Sequence, residues 1–267
     1  IRGPKAADEY LLALEPLATD AAAHTMLALE QAALALQNYD VPRLLAAARS
    51  ALASAVPGSL DEQRALASLA AGQAWAGDAT ADDTLSRLRP ALAQLHSPLL
   101  AIELWGHVAT AEHARGRPAG CVQALQQQRL HARASGHAEV EASVLASLAG
   151  QQLTLGDADG AVTQARSAVA LQRRLGAVHT AALSEVNLLI ALIGVYHLDE
   201  ALALSGELAR HMQDVANQSD LPMIVGDLRA DIWLRLGDTA AARAELESEP
   251  PAANVARRVN RLGLRAL

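Results

Sequence analysis

Nine histidines and a single cysteine are the residues of this chain best suited to metal or nucleophilic chemistry. A helical metal pair needs its ligands three or four residues apart, so that both project from one face. His107 and His113 are six apart, and Glu112-His113 has no second ligand one turn away. Neither His-Glu-x-x-His nor Cys-x-x-Cys occurs, so the histidines read as scattered side chains. Asp157-Ala158-Asp159-Gly160 has the opening spacing of a calcium loop but lacks the bidentate Glu that would close it. It reads as a helix turn with capping acids. Cys121 falls at a small-residue position and reads as a buried hydrophobe, not a thiolate. There is no Gly-x-Ser-x-Gly elbow and no glycine loop to cradle a phosphate. The expectation is a chain with no catalytic residues, no metal and no cofactor.

The composition says what must position whatever residues do matter. Hydrophobic residues make up 51% of the 267 residues, aromatics only 2%, and Phe is absent. Ala and Leu dominate, which suits helices packed at short distance, whereas the β-branched and aromatic residues that strands favour are scarce. The class is all-α. The net charge of −7 is spread over interspersed acids and bases. Direct nucleic-acid binding needs a basic stripe, and the nearest approach is Arg257, Arg258, Arg261 and Arg265, which read as a solvated helix face. Lys5 is the only lysine, a bias of the kind a GC-rich bacterial genome imposes. A lone cysteine fits a reducing, cytoplasmic compartment, and charges interrupt every apolar run that could span a bilayer. The start, Ile1-Arg2-Gly3-Pro4-Lys5, has no Met and no targeting character, as expected of a segment excised from a larger protein.

Helical periodicity runs nearly everywhere, so its breaks carry the information. Turn signals fall at Tyr39-Asp40, Gly77-Asp78, Gly116-Arg117, Gly156-Asp157, Tyr196-His197 and Gly237-Asp238, 38 to 41 residues apart. A second series interleaves with them: Pro57-Gly58-Ser59, Ser97-Pro98, Ser135-Gly136, Gly176 and Ser219-Asp220. Two series with one period describe a unit of two helices repeated about every forty residues. The units expected are about 20–57, 58–96, 97–136, 137–176, 177–219 and 220–250. Ser97 before Pro98 reads as an N-cap with a first-turn Pro, and Asp220 before Leu221-Pro222 reads likewise.

In the clearest unit Leu145, Leu148, Ala149 and Gln152 precede Gly156-Asp157, and Ala161, Ala165 and Ala168 follow at helical spacing. Trp105, Ala109, Gly116 and Cys121 echo the pattern, as do Leu189 with Tyr196 to Ala201, and Ala230, Gly237, Asp238 and Ala242. This resembles the tetratricopeptide repeat over residues 20–249. It departs in period, the family's usual unit being about thirty-four residues. Longer units are similar to those of large bacterial signalling and transcription regulators. In the second unit Asp82 stands where a small residue is expected, so the second helix should start later there.

The resemblance implies an α-solenoid of about six antiparallel helix pairs, a right-handed superhelix with partial helices at residues 6–15 and 252–266. It implies a concave groove lined by the first helices, and a regulatory module that binds a protein or peptide there. Groove positions would be Arg64, Glu103, His107, Thr110, His113, Ser143, Asn187, Asp227, Asp231 and Arg235. Those residue types also serve as solvated or capping groups. A small polar effector in the groove, or a scaffold with an exposed apolar face, are the alternative functions. Direct nucleic-acid contact and membrane insertion are not expected of this segment. Trp75 and Trp233 read as packing between repeats.

Overall fold

The computed structural model describes residues 4–212 and 221–247. Among the described residues there are thirteen α-helices and no strand. They are α1 (Pro4–Leu14), α2 (Ala21–Gln37), α3 (Val41–Ser54), α4 (Leu60–Trp75), α5 (Ala81–Leu92), α6 (Pro98–Ala114) and α7 (Pro118–Ala134). Then come α8 (Ala138–Thr154), α9 (Ala158–Arg174), α10 (Val178–Gly194), α11 (Leu198–Met212), α12 (Leu221–Arg235) and α13 (Thr239–Glu247). The Ser219-Asp220 break, the expected helix at 252–266 and the arginine cluster from Arg257 to Arg265 lie outside the described residues.

The chain divides into two compact units between His137 and Ala138. In each, consecutive helices pack as antiparallel pairs: α2 with α3, α4 with α5 and α6 with α7, then α8 with α9, α10 with α11 and α12 with α13. The first helices of successive pairs also touch, α2 to α4 to α6 in one unit and α8 to α10 to α12 in the other. Second helices lean on the next first helix, as α3 does on α4 and α9 on α10. The result is the all-α repeat that the two interleaved break series require.

A left-handed residue after the first helix closes the turn of each pair, and in three of the six turns it is the Gly of a Gly-Asp dipeptide. Gly77 sits at φ +70° just past α4, where its N–H bonds the carbonyl of Ala74 and the Asp78 N–H bonds that of Gln73. This reciprocal closure satisfies carbonyls the helix end would otherwise strand, and the left-handed φ is cheap only without a Cβ. The following residue then opens the next helix. Asp40, Asp157 and Asp238 each accept a backbone N–H three residues on, from Arg43, Gly160 and Ala241. Asp157 is thus a cap, as its residue type and place indicate. Ser97 caps α6 through the Leu100 N–H, with Pro98 in the first turn.

Asp78 breaks the pattern. Its carboxylate takes the N–H and the hydroxyl of Thr80 at 2.9 and 2.8 Å, which holds its pKa below the usual carboxylate range. The turn is thereby lengthened to residues 76–80, whereas the α2–α3 and α6–α7 turns take three residues, and α5 starts late at Ala81. The delay anticipated from Asp82 is real.

Small residues set the helix spacing. Ala32, Ala35, Ala48 and Ala51 are fully buried in the first pair, and Ala149, Ala161 and Ala165 in the fourth. Each spares side-chain entropy and lets two backbones approach. Cys121 is buried among such positions, and burial pushes its thiol up to about 11.

Candidate binding face on the first helices

The groove residues read from the sequence fall on first helices. Arg64 is on α4; Glu103, His107, Thr110 and His113 are on α6. Ser143 is on α8, Asn187 on α10, and Asp227, Asp231 and Arg235 on α12. They are split between the two compact units, five in each.

In the first unit α4 and α6 bring several together. The Arg64 guanidinium donates from Nε to Glu103 at 2.7 Å, while its Nη2 stands 3.9 Å from Glu30 on α2. One cation on α4 therefore serves two carboxylates, on the first helices α2 and α6 at either side of it. One turn along, Ser68 meets His107 at 3.2 Å, Oγ to Nε2. The other ring nitrogen, Nδ1, is 2.9 Å from the Glu103 carbonyl. A carbonyl can only accept, so Nδ1 carries the proton and Nε2 accepts from the Ser68 hydroxyl. Burial holds the His107 pKa below the ordinary imidazole value, against the bond to Glu103, which raises it. Thr110 donates back to the Gly106 carbonyl at 3.0 Å, and His113 is exposed in the last turn.

Ser68 and His107 make a contact of the kind that activates a nucleophile. Here Ser68 and His107 are 3% and 8% exposed as residues, and the ring's far nitrogen is spent on a backbone carbonyl. Neither is presented to a substrate.

In the second unit Asn187, half-buried on α10, donates its amide to the Ala146 carbonyl of α8 at 3.3 Å. Ser143 is exposed on α8. On α12, Asp231 and Arg235 pair at 3.0 Å within one helix, and Arg235 also lies 5.3 Å over the Tyr196 ring. Asp227 is half-buried on the same helix. Among the described residues no cluster of His, Cys, Asp and Glu is placed to hold a metal, and no helix is long and apolar enough to cross a membrane.

Several side chains that join the repeats escaped the sequence reading. Ser68 is one, although it stands from His107 by the same 39 residues that separate Arg64 from Glu103. Asp82 is another. It takes Arg115 at 2.7 Å and a two-pronged contact from Arg117 at 2.7 and 3.0 Å, and the Arg117 bonds draw its pKa down. Glu185 is buried on α10 and accepts from Arg173 at the end of α9. Tyr39 and Tyr196 occupy the left-handed position after a first helix, at φ +56° and +59°, where four other turns use glycine. Each ring reaches the end of the next first helix: Tyr39 packs on Trp75, centroids 5.1 Å apart, and Tyr196 under Arg235. Trp75 thus packs between repeats, as its place in the sequence indicates.

No family model matches this sequence, and no curated protein does. Solved structures do match. A signal transduction ATPase with numerous domains and a tetratricopeptide repeat sensor, from Pyrococcus horikoshii, aligns with a TM-score of 0.76 at 12% identity. The match covers 92% of this chain and 37% of that one, so the chain spans little more than a third of that protein's length. BtubC from P. vanneervenii aligns at 0.60 with 17% identity, over 93% of this chain and 92% of its own. A Rap protein complexed with Competence and Sporulation Factor aligns at 0.57 with 11% identity, over 91% and 76%. At such identities the likeness is one of fold, and with the helix pairs, the turns and the forty-residue period it establishes the chain as a tetratricopeptide-like helical repeat.

Proposed function

We propose that this chain is a non-catalytic, partner-binding regulatory module of a larger cytoplasmic bacterial signalling or transcription protein. The partner is a protein segment or peptide held on the first-helix face of the second unit, among Ser143, Asn187, Asp227, Asp231 and Arg235, and Arg64, Glu103, Thr110 and His113 are the corresponding first-helix residues within the first unit. The observation that carries the reading is the layering of the helices. Successive first helices lie side by side in each unit, with polar side chains such as Ser143 and Asn187 at least partly open to solvent. Such a face offers hydrogen-bond donors and acceptors on a rigid support, which is what recognition of a polar segment needs. Two structural neighbours lend weight by their own roles: one is described as a tetratricopeptide repeat sensor within a signalling ATPase, and the Rap protein as complexed with a factor. The nucleophile candidates give no support to catalysis, since Ser68, His107 and Cys121 are buried.

The test is capture from a bacterial lysate with the purified chain as bait, read by mass spectrometry of proteins and extracted small molecules. A stoichiometric protein partner, lost in Ser143→Arg and in Asn187→Ala while the melting curve holds, is the expected result. A partner indifferent to both variants overturns the assignment of the face. A small molecule retained without any protein overturns the class of partner and favours an effector sensor.

A further inference from the structure

The position filled by His107 recurs. Counting one repeat at a time, the sequence places Ser68, His107, Ser147 and Asn187 at intervals of 39, 40 and 40 residues. All four lie on first helices, and only the histidine titrates near neutral pH. It is buried against Ser68 at one joint, with both ring nitrogens occupied: Nδ1–H on the Glu103 carbonyl and Nε2 on the Ser68 hydroxyl.

We propose that the joint between α4 and α6 is built to loosen on acidification, with the buried imidazole of His107 as its trigger. A second proton must enter at Nε2, the atom that accepts from Ser68. The Ser68 hydroxyl then has to reverse its role, and a whole positive charge is left in a contact that excludes water. The charged groups facing the ring are Glu103 on its own helix and Arg64 on α4. Glu103 would welcome the charge, but its carboxylate already holds Arg64 at 2.7 Å, and Arg64 opposes it. Burial is the largest influence on the ring and outweighs the bond and charge of Glu103, so it decides the sign. The opened joint exposes the ring to water and binds the proton more readily than the closed one. Closure is therefore favoured above the ordinary imidazole value of 6.5 and is progressively lost as the pH falls below it. The consequence is local to the first unit. In the α8–α10 joint the same repeat position is Asn187, which carries no proton to gain.

Hydrogen exchange of the full chain between pH 7.5 and 5, corrected for intrinsic exchange, reads this directly. In α4 and α6 the opening constant should rise by up to about tenfold for each pH unit below about 6.5, the limit set by one proton, while α8 and α10 stay level. His107→Gln, which keeps a polar side chain but cannot titrate, should abolish the rise. Protection in α4 and α6 that is flat with pH, or a rise that persists in the variant, overturns the proposal. Should His107→Gln fail to fold, the ring is titrated by NMR in the unmodified chain. A midpoint below about 6.5 that tracks the loss of protection upholds the trigger, and a midpoint at or above that value overturns it.

Discussion

The α4–α6 joint of the first unit and the α8–α10 joint of the second hold equivalent helices by different means. In the first, side chain meets side chain: Arg64 with Glu103, Ser68 with His107. Each contact needs two residues of matching chemistry a full repeat apart. In the second, Asn187 reaches a backbone carbonyl, which any residue at 146 would supply. Behind it Leu188, Leu189, Leu192 and Ile193 join Val225 and Ile232 of α12 and Leu208 of α11 in one apolar cluster. The lesson is that a repeat position prescribes contact but not chemistry. Polar joints can be specific and sensitive to conditions, whereas apolar joints chiefly supply stability.

If that contrast is correct, the largest effects come from the second unit's cluster. Leu192 is fully buried within it, so Leu192→Ala should cost about 2–5 kcal/mol by urea denaturation, lost transfer energy and residual cavity together. A cost below about 1 kcal/mol would mean that the cluster is not what holds α10. Overpacking is the next test. Ala149 is fully buried and shares the cluster with Ala161 and Ala165 of α9. Ala149→Leu should destabilise by about 1–3 kcal/mol, and an unchanged melt would show that the α8–α9 crossing has room to spare.

How much of this the sequence carried depends on how local the physics is. Helix ends are local: Gly156-Asp157 and Gly237-Asp238 announce a left-handed residue followed by a cap, and the pairing of helices follows from their spacing. The fold was legible for that reason. Arg64 and Glu103 were legible as polar first-helix residues, but their partnership depends on how α4 and α6 are rotated against each other. The same rotation buries His107, which the sequence alone would leave facing a ligand. Asp82 was visible as a misfit, yet its role needed the two arginines brought to it by the next pair. Tyr39 and Tyr196 were read as turn residues, and nothing local foretold the contacts that accompany their strained backbone.

Tyr196 gives a smaller effect that separates backbone from side chain. The left-handed conformation costs an L residue about 1–2 kcal/mol, and the exposed contact with Arg235 returns about 0.5–1. Tyr196→Ala keeps the strain and loses the contact, so it should destabilise. Tyr196→Gly loses the contact and the strain together. Glycine should therefore be the more stable of the two by about 1 kcal/mol, offset only in part by its unfolded-state entropy. Equal melting temperatures would show that the turn can relax around a Cβ.

The smallest effect belongs to the ion pair that most visibly marks the first unit. Arg64 and Glu103 are 24% and 34% exposed, so water screens them and their side chains lose freedom when paired. A double-mutant cycle with Arg64→Met and Glu103→Gln should return a coupling of no more than about 1 kcal/mol. The single variants need not be equal. Removing Arg64 leaves two carboxylates, Glu103 and Glu30, without their shared cation, whereas removing the Glu103 charge leaves Arg64 still near Glu30. Arg64→Met should thus be the more destabilising, and the gap should shrink in high salt as the carboxylates are screened. A coupling well above 1 kcal/mol would instead make this joint depend on its charges as the second unit depends on its apolar cluster, and the contrast between the two would fail.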